Sequence, residues 1–410
     1  MKILLVHNSY KQPGGEDLAV QREGTLLQAA GHHVVTYFRH NDEVDNGSLS
    51  GKMATVPKAI WASDSYRNLS AILRREKPDL AHFHNTFPLI SPSAYYACRR
   101  AHVPVVQTLH NYRLFCPAGT FFRNRAVCEE CLEHSLWRGV KHGCYRDSRA
   151  GTAAVALMLA AHRMFGTWMK AVSCFIAVSE FVREKFIAGG FPADRVFVKP
   201  NFVDPDPDER DTPGSYAVFV GRLSAEKGLR TLIAAWGDLD NCIPLIIVGD
   251  GPLRAELEQE AVQRGLSNIR FEGYLPEKKT LAMMKGARFL IFPSEWYETF
   301  GMTIVEAFAC GVPVICSRLG AMQELVTEGH TGLFYRPGDF VDLAAKVDWA
   351  WTHEQLVEAM GRAARAEYEA KYSAAENYRM LMKAYDFALA GRENFLLRKF
   401  TVASSASGTP

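Results

Sequence analysis

No stretch of this 410-residue chain reaches the roughly 18–20 consecutive apolar residues that a membrane span requires. The longest candidate, Thr152 to Ala161, gives way at once to His162 and Arg163. The opening run Met1-Lys2-Ile3-Leu4-Leu5-Val6 lacks a small-residue cleavage site, so it does not read as a secretory leader. A cytoplasmic protein is expected. Regular cysteine spacing is missing too: nine cysteines fall at irregular positions, which argues against a disulfide framework. No DNA- or RNA-binding motif accompanies the basic residues, and no nucleic-acid partner is expected. With 48% apolar and 22% charged residues the composition lacks any strong bias, excluding wholesale disorder and a fibrous repeat. The length suits two or three domains.

The charge is unevenly shared. Residues 1–200 carry 25 Lys and Arg against 16 Asp and Glu, and the remainder 22 against 29. The first half also holds 11 of the 13 histidines. A basic half suits an anionic partner or surface, composition drift being the plain alternative. In both halves, short apolar runs alternate with amphipathic stretches. Ile3–His7, Leu80–His84, Val103–Leu109 and Cys174–Ser179 are examples in the first, and Ala217–Val220, Leu245–Val248, Phe289–Pro293 and Pro313–Cys316 in the second. Near-continuous apolar strands separated by helices indicate parallel sheets covered on both faces. The fold class is therefore α/β, with two doubly wound, Rossmann-like domains. The expected division is residues 1–203, a Pro/Asp-rich linker 204–214, a second domain 215–375, a helix 376–395 returning to the first domain, and a disordered tail 396–410. Two such domains leave a cleft at the carboxyl ends of their strands, where ligands bind in open α/β sheets.

Unusual residues collect at those strand ends. In 218–228, strand residues Val218-Phe219-Val220 are followed by Gly221, Arg222, Lys227 and Gly228 in a turn entering a helix. An Arg fork and a Lys point charge at such a place suit a diphosphate. Val248-Gly249-Asp250-Gly251-Pro252 is a second strand–turn–helix, whose glycines are read as letting the backbone approach a ligand. The third segment, 293–307, is the most specific. Glu298 lies in a loop, Gly301 at a helix start, and Glu306 inside the apolar helix Ile304-Val305-Glu306-Ala307. A carboxylate there is costly unless a partner satisfies it.

Gly-Arg-Leu-x-x-Glu-Lys-Gly, Val-Gly-Asp-Gly-Pro and the Glu-x₇-Glu of Glu298 and Glu306, in this order, resemble the retaining glycosyltransferases of the GT-B fold, family 4. Gly14-Gly15-Glu16, Thr108-Leu109-His110 and Pro200-Asn201-Phe202-Val203-Asp204 are similar to that family as well, and the resemblance covers about residues 1–390. It implies a nucleoside-diphosphate sugar as donor and a saccharide or lipid-linked acceptor. Arg222 and Lys227 would hold the diphosphate at Gly221, Gly249 and Gly251. Glu306 would accept from the ribose, and Glu298 from the donor sugar with the amides near Phe300, Gly301 and Met302. Tyr274 and Leu275 would face the base. Gly14 and Gly15 would close over the phosphates, Asn201 would belong to the donor site, and His110 would sit by the sugar. The resemblance further implies front-face transfer with retention and no cofactor or metal for catalysis.

Between 111 and 147 lies an insertion with Cys116, Cys128, Cys131 and Cys144, spaced Cys-x₁₁-Cys-x₂-Cys-x₁₂-Cys. A structural zinc on the four thiolates is the favoured reading, with reduced structural thiols and disulfides as alternatives. Cys98, Cys174, Cys242, Cys310 and Cys316 read as core residues. The helix candidate Thr152–Lys170 is read as a core helix, the alternative being a peripheral membrane contact of the basic first half or a cap over a lipid-linked acceptor. His82 and His84, near a strand end, are read as facing opposite ways. A sugar-nucleotide epimerase or phosphorylase and a non-catalytic sugar-nucleotide-binding protein are the rival functions.

Overall fold

The computed structural model describes residues 1–11, 14–43, 57–239 and 243–405, with side chains as far as 391. Cys242 lies outside the described residues. The chain divides into two compact units. Met1–Gly119, Glu129–Lys199 and the segment from Tyr378 onward form the first; Thr120–Cys128 and Pro200–Asn377 form the second.

In chain order the strands up to residue 198 are β1 Lys2–Ser9, β2 His33–His40, β3 Leu80–Phe83, β4 Val105–Leu109, β5 Phe122–Arg123, β6 Ala126–Val127, β7 Cys174–Ala177 and β8 Val196–Val198. The first unit's sheet has the order β2-β1-β3-β4-β7-β8 and every pairing is parallel. Leu4 of β1 stands opposite Val35 on one side and Ala81 on the other. β3, β4 and β7 are buried along their whole length, as double-sided helix cover requires. The helix Ala374–Ser405 supplies Leu381, Ala384, Tyr385 and Ala388 to the same core as Ile3, Leu5, Leu80 and Ile176. That helix takes in residues 396–405, where the sequence reading expects a disordered tail; residues 406–410 lie outside the described residues.

The second unit's sheet consists of β9 Tyr216–Val220, β10 Leu245–Val248, β11 Ile269–Gly273, β12 Ala287–Phe292, β13 Val314–Ser317 and β14 Gly332–Tyr335. The order β11-β10-β9-β12-β13-β14, again all parallel, is that of a dinucleotide-binding fold. Strand direction of assembly reverses between β9 and β12 here, and between β1 and β3 in the first sheet. Loops at the carboxyl ends of those strands are the places such sheets use for ligands. Both units are thus doubly wound α/β folds of the GT-B type.

Residues 204–214 are irregular but pinned to their own unit: Asp206 pairs with Arg365 at 2.7 Å and Arg210 with Glu358 at 2.7 Å. Among the described residues no helix is long and apolar enough to cross a membrane.

Candidate active site

In the second unit, the loops leaving β9 and β12 meet at the switch point. The Glu295 amide donates to the Glu226 carbonyl at 2.9 Å, tying one loop to the other. Lys227, in the short 3-10 turn Ala225–Lys227, donates from Nζ to Glu298 Oε1 at 2.6 Å. The Ser294 hydroxyl donates to the same oxygen at 2.6 Å. Glu298 is only 6% exposed, so its charge is held by these two partners rather than by water. The Lys227 ammonium also lies 5.5 Å from the Trp296 ring and 5.7 Å from that of Phe292. Arg222, by contrast, is exposed and its guanidinium has no hydrogen bond or ion pair among the described residues. Of the two cations singled out from sequence, one is thus internally paired and the other points into solvent.

Gly301, at φ +92°, caps the helix Met302–Ala309, and the left-handed geometry there explains why glycine occupies the helix start. Glu306 is half-buried a turn further along that helix, and Phe300 is buried behind it. Gly249 and Gly251 are required by the packing of the chain itself. A Cβ on Gly249, whose φ is +134°, would lie 1.9 Å from the Gly221 carbonyl oxygen, and one on Gly251 2.5 Å from that of Leu223. These glycines admit neighbouring protein backbone, packing the β9 and β10 loops together. Tyr274 is 78% exposed, Leu275 half-buried, and Asn201 buried in the same unit.

The first unit holds a chain of buried polar groups that sequence reasoning missed. Glu23, on the helix Gly15–Ala29, accepts Lys199 Nζ at 2.9 Å through Oε2. Its Oε1 lies 2.8 Å from His82 Nδ1 and 3.3 Å from His84 Nε2, neither contact aligned for a hydrogen bond. His82 Nδ1 also reaches the Tyr385 hydroxyl at 2.8 Å, and Nε2 the Thr108 hydroxyl at 2.7 Å. His84 Nδ1 lies 2.9 Å from His110 Nε2. His82 and His84 therefore share one side, their rings 4.3 Å apart, because residues two apart in a strand face the same way; the opposite-facing reading is corrected.

Burial alone would raise the Glu23 pKa, but Lys199 and then His82 hold it well below the usual carboxylate range. Burial, followed by the neighbouring His82, pushes His84 down to about 3; burial and then His84 hold His110 well below the ordinary histidine value. Glu23 thus stays an anion while His84 and His110 stay neutral. The His84 Nδ1–His110 Nε2 contact needs one ring to donate and the other to accept, so the two neutral imidazoles hold complementary tautomers.

Glu16 closes the same region. Its Oε2 accepts from the Tyr10 hydroxyl at 3.0 Å, while Oε1 is buried without a hydrogen-bond partner. Burial raises its pKa. Glu16, His84, His110, Asn111 and Arg113 line a cavity of about 50 Å³, room for one or two water-sized groups. Asp17 organises the preceding loop, accepting from the Gly14 amide at 2.9 Å, the Tyr10 amide at 3.2 Å and His7 Nε2 at 2.9 Å. Gly14 is extended and exposed, and Gly15 opens the helix. The acid three residues after Gly14 is half of a capping box, a signal visible in the sequence.

The four cysteines are not brought together. Among the described residues, the one group of three or more His, Cys, Asp or Glu ligand atoms within 4.8 Å of each other is Glu23, His82 and His84. A zinc site on the four cysteines is therefore without support in this structure. Cys116 and Cys131 are buried thiols, the latter against Gly139. The Glu23 group is itself no metal site, because the Lys199 ammonium already fills the cation's place.

Two family models match the chain: Glycosyltransferase Family 4 over residues 14–207 and Glycosyl transferases group 1 over residues 204–367. An uncharacterised glycosyltransferase of Methanocaldococcus jannaschii is 25% identical over 91% of this chain and 94% of its own length. The D-rhamnosyltransferase WbpZ of Pseudomonas aeruginosa is 34% identical over 39% of this chain, a match spanning 42% of that protein. Among solved structures, Anabaena Alr3699/HepE in complex with UDP superposes with a TM-score of 0.67, at 20% identity, over 94% of this chain and all of that one.

Proposed function

This chain belongs to family 4 of the glycosyltransferases, the group 1 type, and on that premise we propose that it moves a sugar from a nucleoside diphosphate to a saccharide or lipid-linked acceptor, with retention of configuration. The observation that carries this reading is the joint placement of Lys227, Glu298 and the unpaired Arg222 at the second sheet's switch point. The UDP complex of the Anabaena relative supports a nucleoside diphosphate as the leaving group.

In the proposed reaction the bond from the anomeric carbon to the phosphate oxygen breaks, and its electron pair leaves with the diphosphate. Arg222 and Lys227 stabilise that growing charge, the largest electrostatic demand of the step. The acceptor oxygen bonds the anomeric carbon on the face just vacated, and its proton passes to a departing phosphate oxygen. Glu298 orients the sugar hydroxyls and Glu306 the ribose. A retaining glycosidase uses a carboxylate as covalent nucleophile; Glu298, bound to Lys227 and Ser294, is instead assigned to binding. The two cations supply the charge neutralisation that a divalent ion gives in other enzymes.

The test is a panel of nucleoside-diphosphate sugars screened by thermal shift, followed by nucleoside-diphosphate release with and without acceptor. Release that requires acceptor, and that Glu306→Ala abolishes in a folded protein, supports transfer. A shift without turnover would favour a binding protein, and release of an isomerised sugar nucleotide an epimerase.

A further inference from the structure

The helix Arg149–Met164 is apolar on two sides. Val155, Met158, Leu159 and His162 are buried, and His162 anchors the helix through the Ile60 carbonyl and the Thr167 hydroxyl, both at 2.9 Å. The outward side carries Ala150, Leu157, Ala160 and Met164, with no acid anywhere on the helix. Leu157 is 59% exposed, Met164 76% and the following Phe165 57%. The helix Leu136–His142 packs beside it and holds Trp137 70% exposed. Four large apolar side chains turned to water on two adjoining helices are unusual, since a folded surface normally scatters them singly.

The charges on these two helices and the link between them are mostly basic, while the short helix Glu130–Glu133 packed on helix 136–142 carries acids. Between Ser135 and Ser179 the chain holds six Lys or Arg, all exposed (Arg138, Lys141, Arg146, Arg149, Arg163 and Lys170), against a single acid, Asp147. The outward stripe ends beside a second feature: Arg163 and Gly166 stand with Phe115, Trp168, Met169 and Phe191 around a largely apolar cavity of about 290 Å³. Exposed apolar groups on a mostly basic pair of helices match the layering of a bilayer surface, with hydrocarbon below and anionic headgroups beside it. A second protein copy would bring a second set of six cations against the first, which like-charge repulsion opposes.

We propose that the outward face of helices 136–142 and 149–164 docks on an anionic lipid bilayer. Leu157, Met164, Phe165 and Trp137 enter the headgroup boundary, the cations engage lipid phosphates, and the cavity at Arg163 receives a lipid hydrocarbon segment. This inference stands apart from the transfer reaction.

Co-sedimentation of the full chain with vesicles tests it. The protein is expected to bind phosphatidylcholine vesicles containing about one third phosphatidylglycerol, to bind pure phosphatidylcholine far more weakly, and to be released by salt. Leu157→Glu/Met164→Glu/Phe165→Glu should lower partitioning about a hundredfold or more. Arg138→Ala, Lys141→Ala and Arg149→Ala should each lower it about fivefold. Val262→Glu, an exposed apolar site in the second unit, serves as control and should change nothing. All variants should keep the wild-type melting temperature and donor-induced thermal shift. Equal binding to neutral and anionic vesicles, no binding to either, or a concentration-dependent dimer abolished by the triple variant would overturn the proposal.

Discussion

Lys227 is the position where the structural role and the proposed catalytic role can be pulled apart. At 2.6 Å and an effective dielectric constant of about 20, its attraction to Glu298 is about 6 kcal/mol before desolvation is charged against it. Most of that gain offsets the cost of keeping Glu298 out of water. Removing the ammonium leaves the carboxylate with the Ser294 hydroxyl as its side-chain donor among the described residues. Lys227 is partly exposed, so Lys227→Met should cost about 2 kcal/mol, between the value of a surface pair and that of a buried one. Lys227→Met/Glu298→Gln removes both charges and should recover most of that stability. Turnover must behave differently: loss of a cation from the leaving group should cut kcat/KM about 10²–10³-fold, and neutralising Glu298 cannot restore it. Arg222→Ala isolates the second role. An exposed side chain without a partner should alter stability by no more than about 0.5 kcal/mol, yet its loss should lower kcat/KM comparably, mainly through KM. Urea unfolding and initial rates of nucleoside-diphosphate release give both quantities on the same preparations. If Lys227→Met retained turnover within about threefold of wild type, or if the double variant recovered activity with stability, the cation would not face the leaving phosphate and the reasoning would fail.

Glu23→Gln should destabilise the first unit by about 3–5 kcal/mol, because Lys199 would remain buried without its anion; urea midpoints check this, and a cost under 1 kcal/mol would contradict the network. Acid should act on the same cluster. His84 is pushed down to about 3 in the fold against an ordinary 6.5, so below pH 6.5 the unfolded chain takes a proton that the folded one refuses. Stability then rises with pH between about 3 and 6.5, and falling to pH 5 should remove about 2 kcal/mol through His84 alone; a flat stability profile between pH 7 and 5 would refute it. Gly249→Ala should cost more than about 3 kcal/mol or prevent folding, since its Cβ would strike the Gly221 carbonyl at a φ that alanine avoids; an unchanged melting temperature and donor thermal shift would show that the two loops do not depend on this approach.

The second unit was readable because its chemistry is local. Arg222 and Lys227 fall within one turn after β9, and Glu298, Gly301 and Glu306 within one loop and helix start after β12. Apolar runs located the strands, and the alternation of strand and helix placed the motifs at strand ends. What could not be read was pairing across loops: Lys227 with Glu298, or Gly249 against Gly221. The first unit was harder for the same reason in stronger form. Glu23, His82, His84, His110 and Lys199 come from a helix, two strand ends and the start of the connection to the second unit, and only the parallel sheet gathers them. In the insertion, the Cys-x₂-Cys spacing alone does not bring a set of thiolates within 4.8 Å of one another among the described residues.

The pairing of Lys227 has a consequence for how binding energy is used. In this structure its charge is committed to Glu298, so a donor diphosphate must share the ammonium with a carboxylate already in place. That competition weakens the ground-state complex. As the glycosidic bond breaks, negative charge grows on the phosphate and the balance moves toward it, while Ser294 continues to hold Glu298. An interaction that strengthens only as charge develops lowers the barrier, whereas one equally strong beforehand would tighten binding alone. The paired lysine therefore suits the chemical step and the unpaired Arg222 suits capture. In kinetic terms, Lys227→Met should act mainly on kcat and Arg222→Ala mainly on KM. Changes of the opposite kind would mean that the resting ion pair is structural and that Arg222, not Lys227, answers the charge of the leaving group.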